Sequence, residues 1–363
     1  MKITCRLFFR QAGLTLVELM VALVLGMVLM AGMLQLFAAN KTSFRLTENI
    51  SAMQENARYA MSKLERDIRM AGYTGCTGRD QGNIVINTEF ASTPATFTPD
   101  NGVEGWEAGG TGYGNYSLLA DDATVSDAST SGWTTAGGVV LDGSTNAVDR
   151  SDVIRIWHVD GDGVLADVSG STVSAGVPPP YAADDTIMLT DCSSVDIAHV
   201  CSVSGNDTEL SCSQNNPLAL LNADGSAHAF RLSGSVYYIG KRTTHPDYPD
   251  VPPSLYRREI SQNASAGPAQ ELVEGVEAMQ LQYGIDTDTV DPDGVANAYV
   301  DANNVADWNN VVSVRVHLLM QSLRDDLVDG SQTFAFNGAP VAASDGRLRY
   351  PFVSTVSLRN RSR

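Results

Sequence analysis

Four sets of residues have types and spacings that could do chemistry. Glu18 is the sole charge in the run from Leu14 to Ala39. Five cysteines follow no zinc-like spacing: Cys5, Cys76, Cys192, Cys201 and Cys212. Asp286, Asp288, Asp291 and Asp293 crowd together ahead of Gly294. The histidines, His158, His199, His228, His245 and His317, are scattered.

Each set implies a different chemistry. A carboxylate at helix-centre depth in lipid costs about 2.5–3.5 kcal/mol on insertion scales. A plain anchor has no reason to hold one. A neighbouring positive amine would give that reason, because the pair gains strength in a low dielectric. The alternative is a side chain that snorkels to the interface. Without a C-x2-C pair the cysteines do not read as a zinc site. Cys76, Cys192, Cys201 and Cys212 are disulfide candidates, with three connectivities open to them. Cys201–Cys212 as a local clip and Cys76–Cys192 as a long-range staple is the preferred set. The aspartates could bind Ca²⁺. Thr289 and Val290 interrupt the EF-hand pattern, and an acidic solvated hairpin loop is the competing explanation. Asp160 and Asp162, with Gly161 and Gly163, repeat that theme more weakly. His317 shares a strand face with Arg315, opposite Val314 and Val316, so a solvated face is expected for it. No G-x-S-x-G elbow, P-loop or complete G-x-G-x-x-G is present. The expectation is a structural protein, not an enzyme, with no cofactor.

The elements that position these residues begin with one helix. The 26 residues from Leu14 to Ala39 would be about 39 Å long as a helix, enough to cross a bilayer core of about 30 Å with tilt. Lys2, Arg6 and Arg10 flank one side, which puts the N-terminus in the cytoplasm. Leu46, Ile50, Met53, Ala57, Met61, Leu64 and Ile68 then recur every three or four residues. Gly72 and Gly75 supply a stop. The spacing predicts one helix from Leu14 to about Ala71, apolar all round in its first half and one-faced in its second.

Residues 77–150 are rich in Gly, Ser, Thr, Asp and Asn and predict a loop-rich insertion. Trp106, Tyr113, Tyr116 and Trp133 recur there, as packing residues or, less readily, as partner contacts. From Asp152 the strand signals are regular: 153–159, 186–190, 230–241 with 254–260 as its hairpin partner, 279–285, 312–318 and 352–358. Strands after one long helix, without βαβ alternation, predict an α+β fold with an antiparallel sheet.

The segment Gly13-Leu14-Thr15-Leu16-Val17-Glu18 resembles the cleavage and methylation signal of type IV prepilins. That resemblance implies a cut after Gly13 by a prepilin peptidase and N-methylation of Leu14. It also makes Glu18 an assembly contact for the amine of a neighbouring subunit. The family usually has Phe as the first residue after the cut, where this chain has Leu14. The distal half resembles PilW-type minor pilins, through Ser254 to Arg258, Glu271 to Met279, Trp308 to Val316 and Thr355 to Arg361. The resemblance implies a pilin fold, with a leader (1–13), a transmembrane helix (14–39), an amphipathic half (40–72) and a periplasmic β-rich domain (73–363). It implies a structural subunit that helps initiate type IV pilus assembly at or near the tip, supporting piliation and twitching. The implied partners are other minor pilins, the major pilin, a pilus tip protein and the inner-membrane assembly platform. The chain would sit in the bacterial inner membrane before joining the pilus at the cell surface. A minor pseudopilin of a type II secretion system shares these signals. So does a pilin-anchored periplasmic adhesin or enzyme.

Composition fits that setting. A net charge of -18 over 363 residues excludes nucleic-acid binding by bulk electrostatics. The leader carries only basic charge, so its removal would make the chain more acidic still.

Overall fold

The computed structural model describes residues 15–73, 75, 83–86, 102–118, 147–148, 150–210, 224–241, 252–260, 268–288 and 293–360. The chain divides into two compact units, Met1–Ile50 and Ser51–Arg363. One helix, α1, spans Leu16–Met70. Leu, Met and Ala dominate its sequence, all good helix formers, and no proline precedes Pro94. Gly72, at φ 67°, adopts the left-handed conformation that ends a helix with little steric cost.

Seventeen strands follow among the described residues. They are β1 (Asn83–Ile86), β2 (Val103–Trp106), β3 (Val153–Ser169), β4 (Thr172–Ala175), β5 (Thr186–Thr190) and β6 (Ser194–His199). Next come β7 (Ser202–Ser204), β8 (Asp207–Glu209), β9 (Asp224–Gly240), β10 (Ser254–Ile260), β11 (Gln270–Glu274) and β12 (Val276–Ile285). The last are β13 (Ala298–Val300), β14 (Val311–Gln321), β15 (Gln332–Phe336), β16 (Ala339–Ala343) and β17 (Arg349–Ser357).

A four-stranded sheet runs β13-β12-β14-β17. Its inner face carries Met279, Leu281, Tyr283, Val314, Val316 and Leu318, which meet Met53, Ala57, Ala60, Met61, Leu64 and Ile68 of α1 in the main core. An eleven-stranded sheet is built around the long antiparallel ribbon of β3 and β9. One half of the ribbon carries β2 and β10, and the other carries β4 and β5. An irregularity between Asp160 and Val164 separates the halves, with Gly161 and Gly163 at positive φ. A Cβ on Gly163 would run into the Phe230 ring at 2.5 Å, so glycine is needed there twice over.

The expected strands are all present, several of them longer, and β10 does pair with β9. Among the described strands all pairings are antiparallel except β1 with β6. His317 is a correction. It is buried at 7% exposure, between Tyr113 and Phe336, because the hairpin β15–β16 and residues 111–118 cover the outer face of the sheet. Burial, helped by Arg315, lowers its pKa to about 4.

Candidate functional site: the helix and the sheet that carries it

Glu18 lies in the first turn of α1. Its N–H donates to Thr15 Oγ1 at 3.3 Å, so Thr15 caps the helix. The spacing T-x-x-E is that of a capping box, and a carboxylate there suits the positive end of the helix dipole. This local role is a second reason for Glu18, and the sequence carried its signal in the Thr15 to Glu18 spacing. Every described residue from Leu16 to Phe37 is exposed, including Leu23, Val24, Leu34 and Phe37. This stretch is long and apolar enough to cross a membrane.

The other part of α1 is fixed to the sheets by polar contacts around its apolar stripe. Asn56 Nδ2 donates to the Glu274 carbonyl at 3.2 Å, and Ser354 Oγ donates to Glu65 Oε1 at 2.5 Å. The Tyr237 hydroxyl donates to Asp67. At the end of the helix, Gly72 N–H donates to the Trp157 carbonyl at 2.8 Å, and Arg359 N–H donates to the Arg69 carbonyl at 3.2 Å. The far C-terminal segment therefore closes on the helix end.

Two distal motifs acquire physical roles. Trp308 packs edge-on against Tyr283, with centroids 4.8 Å apart. Arg349 binds Glu277 with both carboxylate oxygens engaged, at 2.6 and 3.0 Å, and Asp345 in the same way, at 2.5 and 2.6 Å. Burial raises the Glu277 carboxyl even so. Burial alone would raise Asp345 too, but the bonds from Arg349 outweigh it and hold that carboxyl low. Sequence reasoning passed over this triad. The available signal was Glu277 between Val276 and Ala278 in a buried strand.

Of the predicted site residues, Gly13, Leu14, Cys5, Cys76, Cys212 and Asp291 lie outside the described residues, as does Trp133. Cys192 and Cys201 are both disulfide-bonded. They flank β6 at opposite ends, about 17 Å or more apart by strand rise, so they do not bond to each other. Asp286, Asp288 and Asp293 do converge, with ligand atoms within 4.8 Å of one another. Asp286 is the buried member, and its oxygens accept the N–H groups of Asp288 (3.0 Å) and Gly294 (2.9 Å), which closes the loop. Tyr116 is buried against Phe336 and Trp106 sits by Arg155, so packing is the role of both.

One long apolar helix packed with antiparallel sheets is an α+β architecture that fits the pilin class. Residues 236–360 match the family model described as type IV pilus-assembly protein W, and residues 8–34 match that of the prokaryotic N-terminal methylation motif. Together the two matches support a type IV pilus pilin of the PilW type, a family of pilus structural and assembly proteins. No curated protein and no solved structure matches it.

Proposed function

We propose that this chain is a minor pilin, a structural subunit rather than an enzyme, that helps initiate type IV pilus assembly at or near the tip. The observation that carries this reading is α1. Residues 53–68 bury one stripe on a sheet, while residues 16–37 expose apolar side chains on every side. The exposed stretch needs lipid first and neighbouring helices later. Cleavage after Gly13 and N-methylation of Leu14 would leave a positive amine beside Thr15. Glu18 of an adjacent subunit then has a partner in a low dielectric, and the pair fixes axial register. The partners in this reading are other minor pilins, the major pilin, a tip protein, the prepilin peptidase and the assembly platform. The chain starts in the inner membrane with its N-terminus cytoplasmic and supports piliation and twitching once assembled.

The disulfides in this reading are Cys76–Cys192 and Cys201–Cys212. A Cβ on Gly75 would lie 3.5 Å from Thr190, whose hydroxyl accepts the Cys192 N–H at 3.1 Å, so the chain reaches that turn just before Cys76. Cys201 N–H donates to the Glu209 carbonyl at 2.8 Å, three residues before Cys212.

A clean deletion, complemented with wild type or Glu18→Ala, tests the function. The deletion should lose surface pili and twitching. Glu18→Ala protein should be made, cut and held in the membrane, yet fail to copurify with other minor pilins or restore pili. Loss of secretion with pili intact would instead indicate a pseudopilin. Normal piliation by Glu18→Ala would remove that carboxylate as an assembly contact.

A further inference from the structure

Three acids meet where residues 107–118 dock on the four-stranded sheet. Asp152 is fully buried and accepts the N–H groups of Ala108 (2.9 Å) and Leu281 (2.8 Å). Asp301 accepts the Tyr113 N–H at 3.2 Å and, at Gly112, lies close to Glu107. Glu107 is 7% exposed. Its Oε1 accepts from the Thr111 hydroxyl at 3.3 Å, the backbone of Ala302 favours its charged form more weakly, and its Oε2 is buried with no close hydrogen bond. The hydroxyl of Tyr283, also fully buried and without a partner, faces the same acids.

The acids that interact with Glu107 are Asp301 and Asp152, and Asp152 is itself raised well above its ordinary range, first by burial and then by Glu107. Beyond them lies Glu104, engaged with Arg155. Arg150, Arg349 and Glu277 stand around Tyr116, further along the docked segment. Among the described residues no cation compensates the cluster, and an isolated buried carboxylate takes up a proton rather than remain charged. Burial, then the charge of Asp301, raises Glu107 to about 7.

We propose that Glu107 is a protonation latch: neutral, it lets residues 107–118 dock on the sheet, and ionised, it releases them. The docked segment is also held by Asn337, which donates to the Thr111 carbonyl (2.9 Å), by Gly114 N–H on the Asn337 carbonyl (2.8 Å), by Arg150, which donates to the Ser117 carbonyl (3.2 Å), and by the Asp152 and Asp301 carboxylates on Ala108 and Tyr113 N–H. Undocking would bare the outer face of β12 and β14. The sign follows from linkage. The docked state binds a proton that the free segment loses near its ordinary value of 4.5, so docking weakens as pH rises from there through about 7. His317, beneath Tyr113, acts in the opposite direction, since its burial favours docking above 6.5 and opposes it as pH falls toward 4.

The test is hydrogen–deuterium exchange of residues 107–118 in the full chain in detergent, wild type against Glu107→Gln. His317 is common to both proteins, so its contribution cancels in their ratio. That ratio of opening should rise by about tenfold or more between about pH 5 and about pH 7.5. In Asp301→Asn, which keeps an acceptor for Tyr113, the midpoint should move to lower pH because one like charge is gone. A ratio that stays constant overturns the latch, and so does a midpoint unmoved in Asp301→Asn.

Discussion

The β3–β9 ribbon serves two cores with different side chains. Near α1 it contributes Ile154, Ile156, Tyr237 and Ile239 to a cluster rich in Met, Leu and Ile. Past the Gly161–Gly163 irregularity it contributes Ala166, Val168, Ala227 and Ala229 to a cluster of Ala, Val and a few larger residues. The family match begins at residue 236, so it takes in the β9 end of the first core and leaves the second unmatched. The difference has a physical cause. The first core must bury the stripe of a long helix, and large side chains supply the most buried area per contact. The second core is drawn from strands β3, β4, β5, β6 and β9 of one sheet and their loops, with no helix to cover, and small residues suffice at that close spacing. The helix-bearing sheet is thus constrained by a partner, whereas the distal lobe is constrained by itself.

Three perturbations would break or sharpen that contrast. The largest effect should come from Arg349→Met, which leaves the buried Glu277 carboxylate without its partner. The expected loss is about 3–5 kcal/mol in denaturant unfolding. Adding Glu277→Gln should recover part of it. If the double variant is no more stable than the single one, the ion network does not stabilise the helix-bearing sheet.

Cavity variants compare the cores directly. Leu64→Ala and Ile187→Ala should each cost about 2–5 kcal/mol locally. Amide exchange should locate the damage, with Leu64→Ala loosening α1 from β12 and β14, and Ile187→Ala loosening β5 and β9 while the helix stays protected. Equal loss of protection throughout the chain in both variants would mean one cooperative core rather than two.

The smallest of the three is disulfide removal. Cys201→Ser, which removes a single bridge, should lower stability by about 2–4 kcal/mol, chiefly by freeing the unfolded chain. The distal strands should exchange faster, with residues 53–68 of α1 unchanged. Faster exchange in the helix alone would place the bridge in the wrong core.

The sequence by itself determined α1, because a run without proline and a strict three-and-four spacing fix both a helix and the side it buries. It also determined the strands, through their alternation and β-branched residues, and the Glu18 signal, through its position in an apolar run. Alternation, however, says only that a strand has two faces. It does not say what covers the second one. His317 looked solvated on that rule, and only the packing of residues 111–118 and the hairpin β15–β16 over that face shows why it is buried. Arg155 is hidden the same way, 1% exposed between Trp106 and Trp157 and bound to Glu104. The meeting of Glu107, Asp152 and Asp301 has no local pattern at all. It depends on a loop, a strand start and a turn brought together by the packing of two sheets, and the burial of a charge is a property of everything that surrounds it.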